Sequence, residues 1–150
     1  MPYLPAELPF LETAHEQAEF WAHCRQRRLL FQACGECGRP CHPPLPICPG
    51  CQSARRVWRQ APLPARLYSY TVVHHASHPA VKAHLPYNIA LVEFPALPGV
   101  RLISNVVEVP PTALVIGMAL ELIWQDGANG QPLPRFRPAT SRTGGPPGAS

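Results

Sequence analysis

Six cysteines hold most of the chemistry open to this chain, and four of them form two C-x-x-C pairs, Cys34/Cys37 and Cys48/Cys51. A C-x-x-C turn aims both of its thiolates at one point, so two facing turns supply a tetrahedral shell of four sulfurs. Such a soft donor set suits Zn2+ first and iron second. Gly35 and Gly38 free the backbone for the first turn, and Pro49-Gly50 does so for the second. The loop between the pairs is a little shorter than the usual spacing for two pairs, which a zinc ribbon tolerates. With four sulfurs engaged, no coordination position is left for water, so the expected site is structural and not catalytic. Two disulfides, or thiols that merely cluster, are the alternative.

The other reactive side chains form weaker patterns. Cys41 lies between the pairs as a spare or competing ligand, and Cys24 falls in a helical stretch where a small buried apolar residue is expected. His74, His75 and His78 read H-H-x-x-H at a strand end. Neighbours on a strand point to opposite faces, so this reads as one wall histidine and two solvent histidines, with a second metal or an acid–base role as the alternative. Tyr68 and Tyr70 share a face with Val72 and His74 under strict alternation, either packing the interior or stacking a base. Arg55, Arg56 and Arg59 follow the cysteines and read as a solvated strand edge or as phosphate contacts. No nucleophile elbow, phosphate-cradling glycine loop or paired-carboxylate signature occurs, and only Glu93 and Glu108 fall near a strand face. These features argue against an independent enzyme.

The elements that must position these groups follow from periodicity. Residues 1–12 form a proline-rich arm, and Thr13 with Glu16 makes a capping box for a helix over Ala14–Arg28. Phe20, Trp21 and Cys24 fall on one face of that helix. Leu29–Gln32 enters the cysteine module, and Val57-Trp58 leaves it. Strands are predicted over Arg66–His75, Tyr87–Phe94, Val100–Val109 and Met118–Gln125, with a weak fifth over Pro132–Pro138. Gly117 marks a turn or bulge, and Pro111–Ile116 a short turn or helix. Five short strands with a long connection after the third fit a small Greek-key barrel of the OB type, with a sandwich as the alternative. The expected organisation is arm and helix (1–28), zinc ribbon (29–60), barrel (61–138) and a disordered tail (139–150).

Composition bounds the rest. Hydrophobic residues make up 46% and charged residues 15%, so a core can form, while 21 prolines favour short strands and rigid turns over long helices. No signal-like leader or span-length apolar stretch is visible, so no membrane association is expected, and reduced, metal-spaced cysteines suit a cytoplasmic setting. The net charge of +4 comes from twelve arginines and the single Lys82, scattered along the chain, which leans away from nucleic acid.

Together these features resemble the zinc-ribbon and OB-fold proteins of domain-of-unknown-function family 35. The resemblance rests on Phe20-Trp21, the four paired cysteines, Pro43-Pro44, Cys48-Pro49, Ser53, Trp58 and Tyr68–His74. It continues through Pro86-Tyr87, Ala90-Leu91-Val92, Gly99–Leu102, Gly117-Met118 and Pro134-x-Phe136-x-Pro138, covering about Glu12 to Pro138. It implies a mainly β chain: an N-terminal helix, a rubredoxin-like zinc ribbon, then an OB barrel. It also implies a non-catalytic auxiliary subunit of an acyl-CoA enzyme, whose partner is a thiolase, a thiolase-like aldolase or a hot-dog hydratase in a hetero-oligomer. The expected cofactors are structural Zn2+ on Cys34, Cys37, Cys48 and Cys51, and an acyl-CoA shared with the partner. If this chain meets the CoA phosphates, Arg66, Lys82 and Arg101 are the expected contacts. The family often carries Ser-Gly-x-Gly before the first barrel strand; here that stretch is Pro62-Leu63-Pro64-Ala65. Phe20 and Trp21, with Tyr3, Leu4, Phe10 and Leu11 of the arm, are expected to face the partner. A module that binds single-stranded nucleic acid is the competing reading, since both folds serve that use as well.

Overall fold

Two antiparallel sheets account for the architecture. The structure is a computed structural model that describes residues 3–5, 7, 8, 15–127 and 130–140. Thr13, Ala14, Phe10, Leu11 and the tail from 141 lie outside the described residues. The first described helical element is a 3-10 turn over His15–Gln17, which runs into α1 (Ala18–Arg25). The helix is shorter than expected because the chain stops at a left-handed residue. Arg27 has φ 54°; its N–H bonds to Cys24 O at 2.8 Å, and the Arg28 N–H bonds to His23 O at 3.1 Å. That pair of bonds is a Schellman stop, formed here without glycine.

The first sheet contains β1 (Leu30–Cys34), β2 (Pro40–Cys41) and β3 (Arg56–Gln60), in the order β2-β1-β3. Every residue of β1 is buried, whereas β3 is exposed except at Trp58. The second sheet contains β4 (Ala65–Val73), β5 (Tyr87–Glu93), β6 (Arg101–Ser104), β7 (Ala119–Asp126) and β8 (Pro132–Pro138), in the order β6-β5-β4-β7-β8. It curls until its two edges meet. Val106 bridges Phe136 in parallel, the Phe136 N–H donates to Asn105 O at 3.1 Å, and the Ser104 hydroxyl donates to Pro134 O at 2.7 Å. Strand order and seam together give an OB-type half-barrel.

Strand β8 is a full partner of β7 along its length despite three prolines. Pro132, Pro134 and Pro138 share the parity of Phe136, whose backbone groups point away from β7 toward the seam. A missing N–H costs nothing on that side, so the prolines fit. In β4, a register shift between Leu67 and Ser69 inserts Tyr68 as an extra residue. The expected common face for Tyr68 and Tyr70 is therefore wrong. Leu67 and Tyr70 turn toward the core, and Tyr68 stays 40% exposed on the outside.

Helix, ribbon and barrel share one core. Phe31 of β1 lies 6.4 Å from the Phe20 ring and 4.9 Å from Phe94, which in turn meets Phe136 at 6.2 Å. Leu67, Val92, Val100, Val106 and Leu120 belong to the same cluster. Cys24, fully buried, belongs to it, and burial pushes its thiol up to about 12. The arm is tied down at Tyr3. Its hydroxyl accepts from the Asn88 backbone N–H and side-chain amide, both at 2.8 Å, and its own N–H donates to Gln125 Oε1 at 3.1 Å. Tyr3 is thus half-buried and hydrogen-bonded to the barrel, and not the open apolar surface the sequence suggested.

Candidate metal centre and junction pocket

The two C-x-x-C turns are built alike. In the first, the Cys34 N–H bonds to Arg39 O at 2.8 Å and the Gly38 N–H to Cys34 O at 3.1 Å. In the second, the Cys48 N–H bonds to Ser53 O at 2.9 Å and the Gln52 N–H to Cys48 O at 2.9 Å. The residue after each second cysteine is left-handed: Gly38 at φ 75° and Gln52 at φ 63°. The first turn uses glycine where it needs positive φ. In the second that strain falls on Gln52 and not on Gly50, whose missing side chain instead makes room for Arg39. A Cβ at Gly50 would stand 3.1 Å from the Arg39 guanidinium carbon.

The four sulfurs of Cys34, Cys37, Cys48 and Cys51 lie within 4.8 Å of one another. Cys34 and Cys51 are 3.5 Å apart and Cys37 and Cys48 3.6 Å, against about 3.8 Å between sulfurs at tetrahedral Zn–S distances. Backbone N–H groups of Glu36 and Cys37 point at the Cys34 sulfur at 3.4 and 3.5 Å, and that of Gly50 at the Cys48 sulfur at 3.3 Å. These donors favour thiolate. The Cys37 and Glu36 amides hold Cys34 down at about 6, and those of Cys51 and Gly50 lower Cys48. Cys51 gains an N–H from Ser53, yet its thiol neighbours, Cys34 foremost, push it up to about 11. Four sulfurs this close cannot all ionise without a cation between them, and a divalent ion permits it. The residues fit Zn2+ with no open position.

Cys41 stands outside the four-sulfur group; its thiol donates to Pro43 O at 3.5 Å, and burial raises it above the ordinary thiol value. His74, His75 and His78 are exposed, and His78 Nδ1 accepts from the Ala80 N–H at 3.2 Å, capping a 3-10 turn over Pro79–His84. Among the described residues they form no metal cluster.

A pocket of about 300 Å3 opens where helix, ribbon and barrel meet. Trp21 and Phe20 contribute from α1, His42 to Pro44 from the ribbon loop, Leu91 and Arg101 to Ile103 from β5 and β6, and Leu133 to Arg135 from β8. Gln32 positions the loop by accepting the Leu45 N–H at 2.8 Å. His42 packs its ring 5.0 Å from Phe20 and 5.1 Å from Phe31, and burial holds it neutral, with its pKa down at about 4. The expectation that Phe20 faces a partner does not fit this packing. Only 3% exposed, it lies between Phe31, His42 and Trp21, because a helix of eight residues turns that side onto the core. Trp21, half-buried, stays at the pocket wall.

The three cations expected near CoA do not converge. Arg66 and Arg101 are the cross-strand neighbours of Glu93 at one end of the barrel. Lys82 lies in the connection between β4 and β5, at the other end of a strand that spans roughly 20 Å. Arg101 stacks on the Tyr68 ring at 3.8 Å. Sequence reasoning missed the pocket, whose walls come from segments far apart in the chain.

Fold and four-sulfur centre together define a zinc-ribbon/OB-fold protein. Two family descriptions cover most of the described chain: the rubredoxin-like zinc ribbon domain of ChsH2 over residues 21–56, and the C-terminal OB-fold domain of ChsH2 over residues 58–125. The chain belongs to domain-of-unknown-function family 35, in its ChsH2 branch. It is similar to the solved Ltp2-ChsH2(DUF35) aldolase, at 37% identity and a TM-score of 0.79, over 87% of this chain and 100% of that one. A DUF35 protein of unknown function from Sulfolobus solfataricus shares the fold at 20% identity and a TM-score of 0.59, over 87% of this chain and 90% of that one. A probable enoyl-CoA hydratase alpha subunit from Thermomonospora curvata is 41% identical over 121 residues, which is 80% of this chain and 37% of that protein. The chain thus spans little more than a third of that curated relative. Among the described residues no helix is long and apolar enough to cross a membrane.

Proposed function

We propose that this chain is a non-catalytic auxiliary subunit of an acyl-CoA enzyme, assembled with a thiolase-like aldolase or a hot-dog hydratase in a hetero-oligomer. Its likeness over the whole length of the ChsH2(DUF35) chain of an aldolase carries the reading, and the hydratase alpha subunit supports it. The chemistry agrees. A closed four-thiolate shell on Cys34, Cys37, Cys48 and Cys51 holds Zn2+ as a staple, and the ion gives the ribbon its folded shape without activating water. The reacting acyl-CoA sits in the partner's site, which this chain completes. Arg66, exposed on β4, is its contact to the CoA phosphates. Free thiols in a zinc site suit the reducing cytoplasm.

Size-exclusion chromatography of the co-expressed pair tests the assembly. Trp21→Ala should cost on the order of 2 kcal/mol of complex stability if the indole sits centrally in the interface. If the indole serves only its own fold, the same change lowers the melting temperature of the isolated chain and leaves the complex intact. A chain that elutes alone beside every acyl-CoA enzyme of its host, and binds single-stranded DNA at moderate salt, would refute the assignment.

A further inference from the structure

The wall of the junction pocket carries two guanidinium groups, Arg101 and Arg135, and no carboxylate among the described residues. Among the described residues, ion pairs join Arg27 to Asp126, Arg55 to Glu36, and Arg137 to Glu108 and Glu121. Arg101 and Arg135, both in the pocket wall, take part in none of them. Arg101 has Glu93 as its register partner, yet its guanidinium lies over Tyr68 instead. The Nε of Arg135 is buried with no hydrogen-bond partner, and burial lowers the pKa of the side chain to about 10. The buried Nδ1 of His42 also lacks a partner. A buried donor left unsatisfied is expensive, and more so when it is charged. Native structures leave few such groups unpaired, so each calls for a partner, whether water, an ion or another molecule.

The surface around the pocket mouth is apolar. Leu91 and Ile103 are cross-strand partners that both line the pocket, and Ile103 is 72% exposed. Ile89 and Tyr68 extend the same outer face of β4–β6, at 39% and 40% exposed. Apolar surface around a recess with guanidinium groups in its wall is the anatomy of a protein–protein contact, in which an anchor fills a pocket and a ring of neighbours excludes water. A small acid could satisfy the cations but would leave Ile103 and Ile89 in water. A protein surface covers both.

We propose that this pocket and the outer face of β5 and β6 form the docking surface for the enzyme subunit, which presents an acidic side chain flanked by apolar residues to Arg101 and Arg135. The proposal rests on the auxiliary-subunit reading. A carboxylate matches the paired donors of a guanidinium, and a desolvated pair of this kind fixes register as well as affinity.

Two variants test it without threatening the fold. Arg135→Met keeps an apolar stem and removes the donors, and Ile103→Glu alters a side chain already in solvent. Each is titrated by calorimetry against the purified thiolase-like or hydratase subunit of the same host, with thermal melts of the isolated chain alongside. Each should weaken binding by about tenfold or more with the melt little changed. Exchanging the facing acidic residue of the subunit for arginine should restore binding to Arg135→Glu. If a complex forms and neither variant weakens it, this face is not the interface, while the auxiliary-subunit reading stands. If no complex forms with the unaltered chain, both fall. If the isolated chain binds free acyl-CoA and Arg135→Met abolishes that binding, the pocket is a small-molecule site and the docking proposal is overturned.

Discussion

The tip of the ribbon and the interior of the barrel are held by different physics. At the tip Cys37, Cys51, Leu45 and Ile47 are exposed, and only Cys34, Pro44 and Cys48 are buried. Order there comes from backbone bonds within each turn and from four sulfurs drawn to one point. In the barrel Leu67, Val92, Val106, Leu120 and Phe136 are fully buried, and order comes from packing. Between them lies β1, which carries Cys34 at its end and Phe31 in the shared core. The contrast shows how a short segment without a core of its own can still present a defined surface: it substitutes a metal for buried area.

The largest break in that comparison is loss of the metal. Cys48→Ser, or a strong chelator, should remove Zn2+ and with it binding energy on the order of 10 kcal/mol. In hydrogen exchange, protection should vanish at Cys37 and Gly50 and persist along β5. The converse is Phe136→Ala, which should cost about 3–5 kcal/mol through the cavity it leaves, read in a denaturant melt, while elemental analysis of the folded protein still finds one zinc.

Acid acts next. The folded-state value for His42 lies near 4, below its ordinary 6.5, so the native state prefers the neutral ring. The unfolded chain therefore binds more protons between those values. The contribution of His42 is complete above pH 6.5 and is lost as the pH falls toward 4, by up to about 3 kcal/mol. His42→Leu should flatten the fall in stability over that window, and an unchanged slope would remove His42 as its source. The smallest effect belongs to the surface pair Arg27–Asp126, 3.1 Å apart with both side chains more than half exposed. Arg27→Ala should cost no more than about 1 kcal/mol through that pair.

What the sequence disclosed follows the same division. The metal turns were legible because coordination fixes residue type and spacing in one short stretch. The strands of the barrel were legible where alternation ran unbroken, as in β5. It failed at Tyr68, where one extra residue reversed the parity, and β8 was under-read because its prolines hid a strand whose donors were not needed on that side. Phe20 was misplaced because a helical stripe does not reveal whether it meets its own core or a partner. The junction pocket, assembled from α1, the ribbon loop, β5, β6 and β8, has no local signature at all.

Reconstitution tests the central claim most directly. The purified enzyme subunit is assayed for acyl-CoA turnover with and without this chain, and the zinc-loaded chain is assayed alone. The account predicts no turnover by the chain alone and a rise in the subunit's turnover when the chain is added, lost when Cys48→Ser replaces it. Turnover by the chain alone, or a subunit whose activity is indifferent to it, would contradict the account.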